Sequence, residues 1–200
     1  MIKHIAMKRK VVIFIAALII SCGWISKGYG QEMEVGDIHV NVGLGLISNI
    51  NLEYSSQQIP PVFVKFDYIL RNDIGPGIIA IGGHLSFDSY KYTRNYTDNN
   101  TVYEYGWKQS RAIIGLTGKY YYHLVDNLDA YGKIMIGYSI MNPQKTGYWP
   151  NDYVFTPKSN SLTFGLGAGI RYSITNNLGV FAELGYDAAF FMAGVNLSLK

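Results

Sequence analysis

The chain has 200 residues, of which only 16% are charged, while 17 are tyrosine and 22 are glycine; a soluble domain usually carries about 25% charged residues. Five of the 17 Lys and Arg residues precede Gln31, so the rest of the chain has 12 basic against 14 acidic residues, which excludes a basic nucleic-acid-binding surface. The single cysteine, Cys22, excludes an intrachain disulfide.

Residues 1–30 have the pattern of an export signal. A Lys-Arg-Lys sequence at 8–10 precedes an apolar run at 11–20 that is short for a membrane-spanning helix. Gly-Tyr-Gly before Gln31 fits a small-x-small cleavage site. We therefore predict a cleaved signal peptide over residues 1–30 and a mature domain over residues 31–200, with a retained N-terminal anchor helix as the alternative.

The sequence leaves two properties of this segment undecided: its start residue and the fate of Cys22. Translation could start at Met1 or at Met7, because the first six residues add nothing that a signal needs. The residues up to Cys22 resemble the lipobox of bacterial lipoproteins, in which that cysteine is acylated. The residues after it do not resemble a polar tether, so lipidation of Cys22 and loss of the cysteine with the signal are both possible outcomes.

Eight segments after the signal alternate apolar and polar residues with the period of two that is typical of β-strands. In chain order they are residues 37–47, 62–70, 78–89, 108–122, 128–138, 162–172, 180–186 and 191–200. In the sixth, LTFGLGAGIRY, one face carries Leu162, Phe164 and Leu166, and the other face is mostly glycine. No helical period of useful length follows, so we predict an all-β domain.

The connections between these strands alternate in length. Residues 71–77, 123–127 and 173–177 form short turns, residues 48–60, 90–107 and 141–160 form long loops, and only the connection near Asp187 is short on the long-loop side. This layout is typical of a membrane barrel with short turns at one rim and long loops at the other. We predict an eight-stranded antiparallel up-and-down transmembrane β-barrel, with the apolar faces toward lipid and the glycine-rich polar faces toward the lumen.

Aromatic residues occur near both ends of the predicted strands. Tyr68, Tyr120, Tyr122 and Tyr172 are expected on the lipid-facing side near the short turns, and Tyr90, Trp107, Tyr138 and Tyr186 near the long loops. Such rings place an apolar body in lipid and a polar group at headgroup level. We therefore predict two aromatic girdles.

Ionisable residues occupy the faces predicted to line the lumen. They are Lys65, Asp67, His84, Asp88, Arg111, Lys119, Asp129, Lys133, Arg171 and Glu183. Five basic and four acidic residues nearly balance, which favours a network that plugs the lumen over a selective pore with rings of one charge. Long side chains are expected to cross the lumen toward the glycine-rich wall, and Arg171 is expected to pair with Glu183.

Four stretches carry a resemblance to a known class: RAIIGLTGKYYYHL (111–124), LDAYGKIMIGY (128–138), LTFGLGAGIRY (162–172) and VFAELGY (180–186). They resemble bacterial outer-membrane eight-stranded barrels of the OmpX/OmpA-like class, in particular the "outer membrane protein beta-barrel domain" proteins of Bacteroidetes. The resemblance implies an outer-membrane location, contact with outer-membrane lipids, insertion by the barrel-assembly machinery and no enzymatic activity. The chain ends in Lys200 rather than in an aromatic residue, which weakens the assembly signal.

The functional prediction is a monomer without cofactor or metal, with a structural or surface-interaction role and extracellular loops. The candidate contact residues in the loops are Tyr92, Tyr96, Tyr103, Tyr105, Tyr148, Trp149 and Tyr153. They combine rigid aromatic area with short polar neighbours, as recognition surfaces do. The simpler interpretation is that loops at a membrane interface are rich in aromatic residues anyway.

Three alternatives remain. A small pore, or a carrier of small or hydrophobic compounds, would need an open path through the lumen. A lipid-modifying enzyme could use His84 and Ser86, which resemble the His-x-Ser pair of outer-membrane lipid A deacylases, although both are predicted to face the lumen. A soluble calyx would need the glycine-rich set on its surface, and the scarcity of charge in that set argues against it.

Overall fold

The computed structural model describes residues 33–48, 55–98, 101–147 and 159–199. The predicted signal peptide and Cys22 lie outside the described residues. Eight strands follow one another: β1 Ile38–Ser48, β2 Ser55–Ile74, β3 Gly77–Asp98, β4 Thr101–Val125, β5 Leu128–Gly147, β6 Ser161–Ser173, β7 Leu178–Tyr186 and β8 Ala189–Leu199. Among the described residues, no helix is long and apolar enough to cross a bilayer.

Each strand pairs with its neighbours in the chain, all antiparallel, and β8 pairs with β1 to close the ring. The closing ladder runs from Ile38 opposite Leu199 to Ser48 opposite Ala189, with register shifts at its far end. Closure gives both sides of every strand a partner within the wall, so the barrel itself has no open edge. The predicted eight-stranded up-and-down barrel is confirmed.

Tight turns join the strands at one end of the barrel. Gly75 and Asn127 adopt positive φ angles of 61° and 67° in the β2–β3 and β4–β5 turns. A two-residue hairpin turn that follows the twist of its strands needs such angles, and glycine and asparagine adopt them most readily. The local sequence therefore sets the positions of these turns.

Four of the strands are much longer than predicted. Strands β2 to β5 have 20, 22, 25 and 20 residues, whereas β1, β6, β7 and β8 have 9 to 13. The β3–β4 ladder continues to Asp98 opposite Thr101, so the predicted loop 90–107 is wrong: it is mostly an extended hairpin. The physical reason is that Tyr and Thr, which recur in this segment, are favourable residues for strands.

These extensions form one four-stranded structure beyond the barrel, which we call the projecting sheet. It comprises residues 55–61 of β2, 89–98 of β3, 101–110 of β4 and 140–147 of β5. Ser55 pairs with Tyr92, and Gly147 pairs with Tyr105. Because β6 begins opposite Ser139, the sheet rises from one side of the rim only.

The two faces of the wall follow the predicted alternation. Outward residues such as Leu116 and Leu166 are 71% and 68% exposed. Of the predicted girdles, Tyr68, Tyr120, Tyr122, Tyr172, Tyr138 and Tyr186 are exposed on the outer face.

Two of the predicted girdle positions are wrong. Tyr90 is buried, because it lies two residues from the inward Asp88 and therefore shares its face. Trp107 shares the face of the inward Arg111 and stacks on Tyr92 in the projecting sheet, with ring centroids 4.0 Å apart. Neither ring lies on the outward apolar band.

Candidate functional site: barrel wall, lumen and projecting sheet

The outer face of the barrel is apolar throughout its width. Between the turns and the projecting sheet, the exposed side chains that the structure describes on the wall include no charged residue. They are leucine, isoleucine, valine, phenylalanine, alanine and tyrosine. The charges lie inside, so the polarity of this barrel is the reverse of that in a soluble protein.

All ten residues predicted to line the lumen are buried inside the barrel. They are Lys65, Asp67, His84, Asp88, Arg111, Lys119, Asp129, Lys133, Arg171 and Glu183. Sequence reasoning missed the acidic residue Asp187, which is 2% exposed in the β7–β8 turn, and left out His39, which is also 2% exposed. With Asp187 included, five acidic side chains match the five basic ones.

The largest ionic group lies at the centre of the lumen around Glu183. Lys65 donates to Glu183 at 2.9 Å, and Tyr131 donates to its other oxygen at 3.0 Å. Lys133 forms ion pairs with both Glu183 and Asp187. Since β2 and β7 are not neighbours in the ring, the Lys65–Glu183 pair spans the lumen.

A second group lies nearer the short turns, around Asp67. Lys119 donates to Asp67 Oδ2 at 2.6 Å, Asn41 at 2.7 Å and Tyr121 at 3.2 Å. Asn196 extends this group by donating to Asn41. Three donors thus converge on Oδ2 of this buried carboxylate, while its Oδ1 has no hydrogen-bond partner among the described residues.

Arg171 does not pair with Glu183, so that prediction is wrong. The register places Arg171 directly opposite Asp129 on β5, and Glu183 opposite Gly169. Arg171 donates to Asp129 at 3.0 Å and to His39 Nδ1 at 2.9 Å. Arg171 lies too close to the short turns to meet Glu183, which the central lysines hold.

Two glycines of the glycine-rich wall receive aromatic side chains from adjacent strands. A Cβ on Gly169 would lie 2.6 Å from the Tyr131 hydroxyl oxygen, and one on Gly43 would lie 2.7 Å from Phe63 Cζ. Both aromatic residues stand directly opposite their glycine on the neighbouring strand. Lys65 on β2 crosses the lumen to Glu183 on β7, as expected for long side chains, whereas these two rings reach a glycine on the strand next to their own.

The β7–β8 turn is buried at the loop end of the barrel. Asp187, Ala188 and Ala189 have exposed fractions of 2%, 0% and 0%. Arg111 donates to the Ala188 carbonyl at 3.0 Å and forms an ion pair with Asp88. Lys133 forms an ion pair with Asp187. Arg111 and Lys133 thus hold the turn in place at the loop end of the barrel.

His84 and Ser86 lie inside the barrel. His84 is 0% exposed and stacks on Phe63 at 6.4 Å, and neither of its ring nitrogens has a hydrogen-bond partner among the described residues. A lipid-modifying site needs its base and hydroxyl to face lipid, and these two side chains are on the other side of the wall. No group of three or more His, Cys, Asp or Glu suited to a metal ion occurs in the described ranges.

Of the seven predicted contact residues, three have described side chains. Tyr92 and Tyr105 are largely buried within the projecting sheet, and Tyr103 is half-buried. Tyr96 lies in β3, but its side chain is outside what the structure describes, and Tyr148, Trp149 and Tyr153 lie outside the described residues altogether. The rings sit among charges: Arg94 lies 5.4 Å from the Tyr92 ring centroid, and Lys91 pairs with Glu104 at 3.4 Å.

No family model and no curated protein matches the chain. Among solved structures, it is similar to Ail, the attachment invasion locus protein of Yersinia pestis, with a TM-score of 0.46 and 12% identity over 83% of this chain and 100% of that one. A structure of Ail with the heparin analogue sucrose octasulfate gives a TM-score of 0.44 at the same identity and coverage.

The N-terminal β-barrel domain of Pseudomonas aeruginosa OprF is also similar, with a TM-score of 0.41 and 14% identity over 82% of this chain and 98% of that domain. All three TM-scores are below 0.5. The fold is established by the strand pairing of this chain itself. That pairing gives a closed eight-stranded antiparallel barrel with an apolar exterior and an ionic interior.

Proposed function

We propose that the chain is an integral β-barrel of the bacterial outer membrane that holds the projecting sheet at the cell surface, where the sheet contacts a partner. The observation that carries the membrane part is the reversed polarity of the wall. Burying apolar surface contributes about 25 cal/mol per Å², so a ring of leucine, isoleucine and phenylalanine side chains left in water is strongly unfavourable. A bilayer covers that ring, while closure satisfies the backbone hydrogen bonds.

The surface part of the proposal rests on strand length. A tilted strand crosses the hydrocarbon in about 9–11 residues, yet β4 has 25. The residues of β3 and β4 beyond this length carry the stacked Tyr92 and Trp107. They also carry the charged Lys91, Arg94 and Glu104. Rigid aromatic rings beside polar groups are the usual chemistry of a recognition surface.

The orientation gives a first prediction. An epitope inserted between Asp98 and Thr101, at the tip of the projecting sheet, is expected to bind antibody on intact cells. The same epitope in the turn at residues 175–176 should bind only after the outer membrane is permeabilised, because the short turns face the periplasm. Labelling of both sites on intact cells, or of neither, would contradict the proposed topology.

A second prediction concerns the projecting sheet itself. Tyr92 pairs with Trp107, so replacing residues 93–106 by Asn-Gly closes the hairpin with a two-residue turn and leaves the barrel ladder intact. The trimmed chain should still resist unfolding in unheated gels, as barrels do, but should fail to restore the phenotype of a deletion strain. Full complementation by a properly inserted trimmed chain would show that function does not reside there.

The small pore is the second candidate, and the β7–β8 turn argues against it. Conduction needs a continuous polar path, and the turn, Arg111 and Lys133 close the loop end of this lumen. We expect no steady conductance from the unmodified protein in planar bilayers. Arg111→Gln combined with Asp187→Asn should release the turn and give resolvable openings; stable single-channel steps from the unmodified protein would instead favour the pore.

A further inference from the structure

A shallow trough crosses the outer face of the barrel from β4 to β8. Its floor consists of the outward residues Ala130, Gly132, Ala168 and Ala182. The strand register brings them into two adjacent rows, one running from Tyr122 through Ala130 and Ile170 to Ala182 and the other from Tyr120 through Gly132 and Ala168 to Leu184. The small residues of β5, β6 and β7 thus make a depression, from which Ile170 rises between Ala130 and Ala182.

Larger side chains border this depression. Tyr120 and Tyr122 close it at β4, and Leu184 and Phe191 close it at β7 and β8. Its volume is 570 Å³, within the range of roughly 300–1,000 Å³ that is usual for small-molecule sites. A Cβ added to Gly132 would meet nothing within 4 Å, so this part of the floor is open.

We propose that the trough binds one acyl chain of a membrane phospholipid, a proposal that rests on the membrane location above. Three observations select this occupant. The exposed residues that line the trough are apolar or aromatic, so they offer nothing to a charged ligand. The trough lies within the uncharged outward band, where lipid is the solvent. Its β4 end lies in the tyrosine girdle of the short-turn rim, where the headgroups of the periplasmic leaflet would lie.

The shape explains why a chain would stay there longer than beside the rest of the wall. Dispersion attraction between atoms is small for each pair and adds over many contacts. A methylene chain against a convex wall is contacted on one side, whereas a chain in the trough also contacts the raised side chains Ile170 and Leu184, which are 49% and 64% exposed. A retained lipid, rather than a freely exchanging one, is therefore expected.

The test uses two matched variants of the full-length protein. Gly132→Leu fills the floor of the trough. Gly83→Leu places the same side chain on another outward glycine, outside the trough, where the nearest atom to a new Cβ is 3.9 Å away. Both variants are reconstituted in vesicles of phosphatidylethanolamine and phosphatidylglycerol and then extracted in mild detergent. Native mass spectrometry measures the mass of each protein with any lipid that it retains. Migration on unheated gels verifies that each variant is folded.

The unmodified protein and Gly83→Leu should each retain one phospholipid, and Gly132→Leu should retain none. A photoreactive acyl chain should label residues 130–132 and 168 in the first two only. Equal retention by both variants would overturn the inference, and so would a dimer that Gly132→Leu abolishes, because the occupant would then be a second copy. If the protein fails to enter vesicles at all, the proposed function falls; insertion without lipid retention overturns only the trough site.

Discussion

Replacing Leu166 with arginine is expected to destabilise the inserted barrel by about 2–4 kcal/mol, the cost of a basic side chain near the bilayer midplane. Leu166 lies near the middle of β6 and points outward, 68% exposed. In a bilayer the guanidinium of the substituted arginine would lie in the hydrocarbon. The measurement is equilibrium unfolding by urea or guanidinium chloride from lipid vesicles.

Leu162→Arg is the matched control for this prediction. Leu162 lies on the same strand and the same face and is 67% exposed, but it stands near the loop-end rim. There the cost of arginine falls to roughly 0–1 kcal/mol. Equal and negligible costs at the two positions would mean that the outer face meets water, which would refute the membrane location.

Removing the carboxylate of Glu183 is expected to destabilise the barrel by about 3–5 kcal/mol, the usual cost of breaking a buried ion pair from one side. Glu183→Gln leaves the ammonium of Lys65, which is 0% exposed, without the acid that it contacts at 2.9 Å. The double variant Glu183→Gln, Lys65→Met removes both charges and should cost less than either single change. Unfolding of all four proteins completes a double-mutant cycle.

The exposed pair Lys91–Glu104 serves as the reference for that cycle. Its side chains are 36% and 61% exposed, and exposed pairs contribute about 0–1 kcal/mol. Coupling between Lys65 and Glu183 should therefore clearly exceed coupling between Lys91 and Glu104. If the two couplings were equal, burial of the central ionic group would not strengthen its ion pair, and the prediction would be wrong.

The number of strands, the direction of their faces and the content of the lumen could be predicted from the sequence. Period-two alternation is a local property: each residue's neighbours two positions away tell which face it shares. Stretches such as LTFGLGAGIRY therefore identify an outward and an inward set without knowledge of any partner strand. The ten predicted lumen residues are all inside the barrel for this reason.

The length of the long strands could not be predicted in the same way. Residues 90–107 alternate aromatic and polar side chains, and this pattern suits both an exposed hairpin and an interfacial loop. What decides between them is the ladder from Tyr92 opposite Trp107 to Asp98 opposite Thr101, together with support from β5. Tyr90 and Trp107 share a face with the inward Asp88 and Arg111, so aromatic character alone does not place a ring on the outer wall.

The alternation of residues along the chain was thus enough by itself to predict an eight-stranded barrel with an apolar exterior and a charged interior. Only the closed ring decided which charges meet. Lys65 and Glu183 are 118 residues apart in sequence, and Arg171 binds Asp129 instead of the residue expected. The contacts of the β7–β8 turn with Arg111 and Lys133 likewise exist only in the closed ring. The reason is geometric. The stagger between neighbouring strands sets the position of each inward side chain along the barrel axis, and this stagger is fixed only when the whole sheet closes.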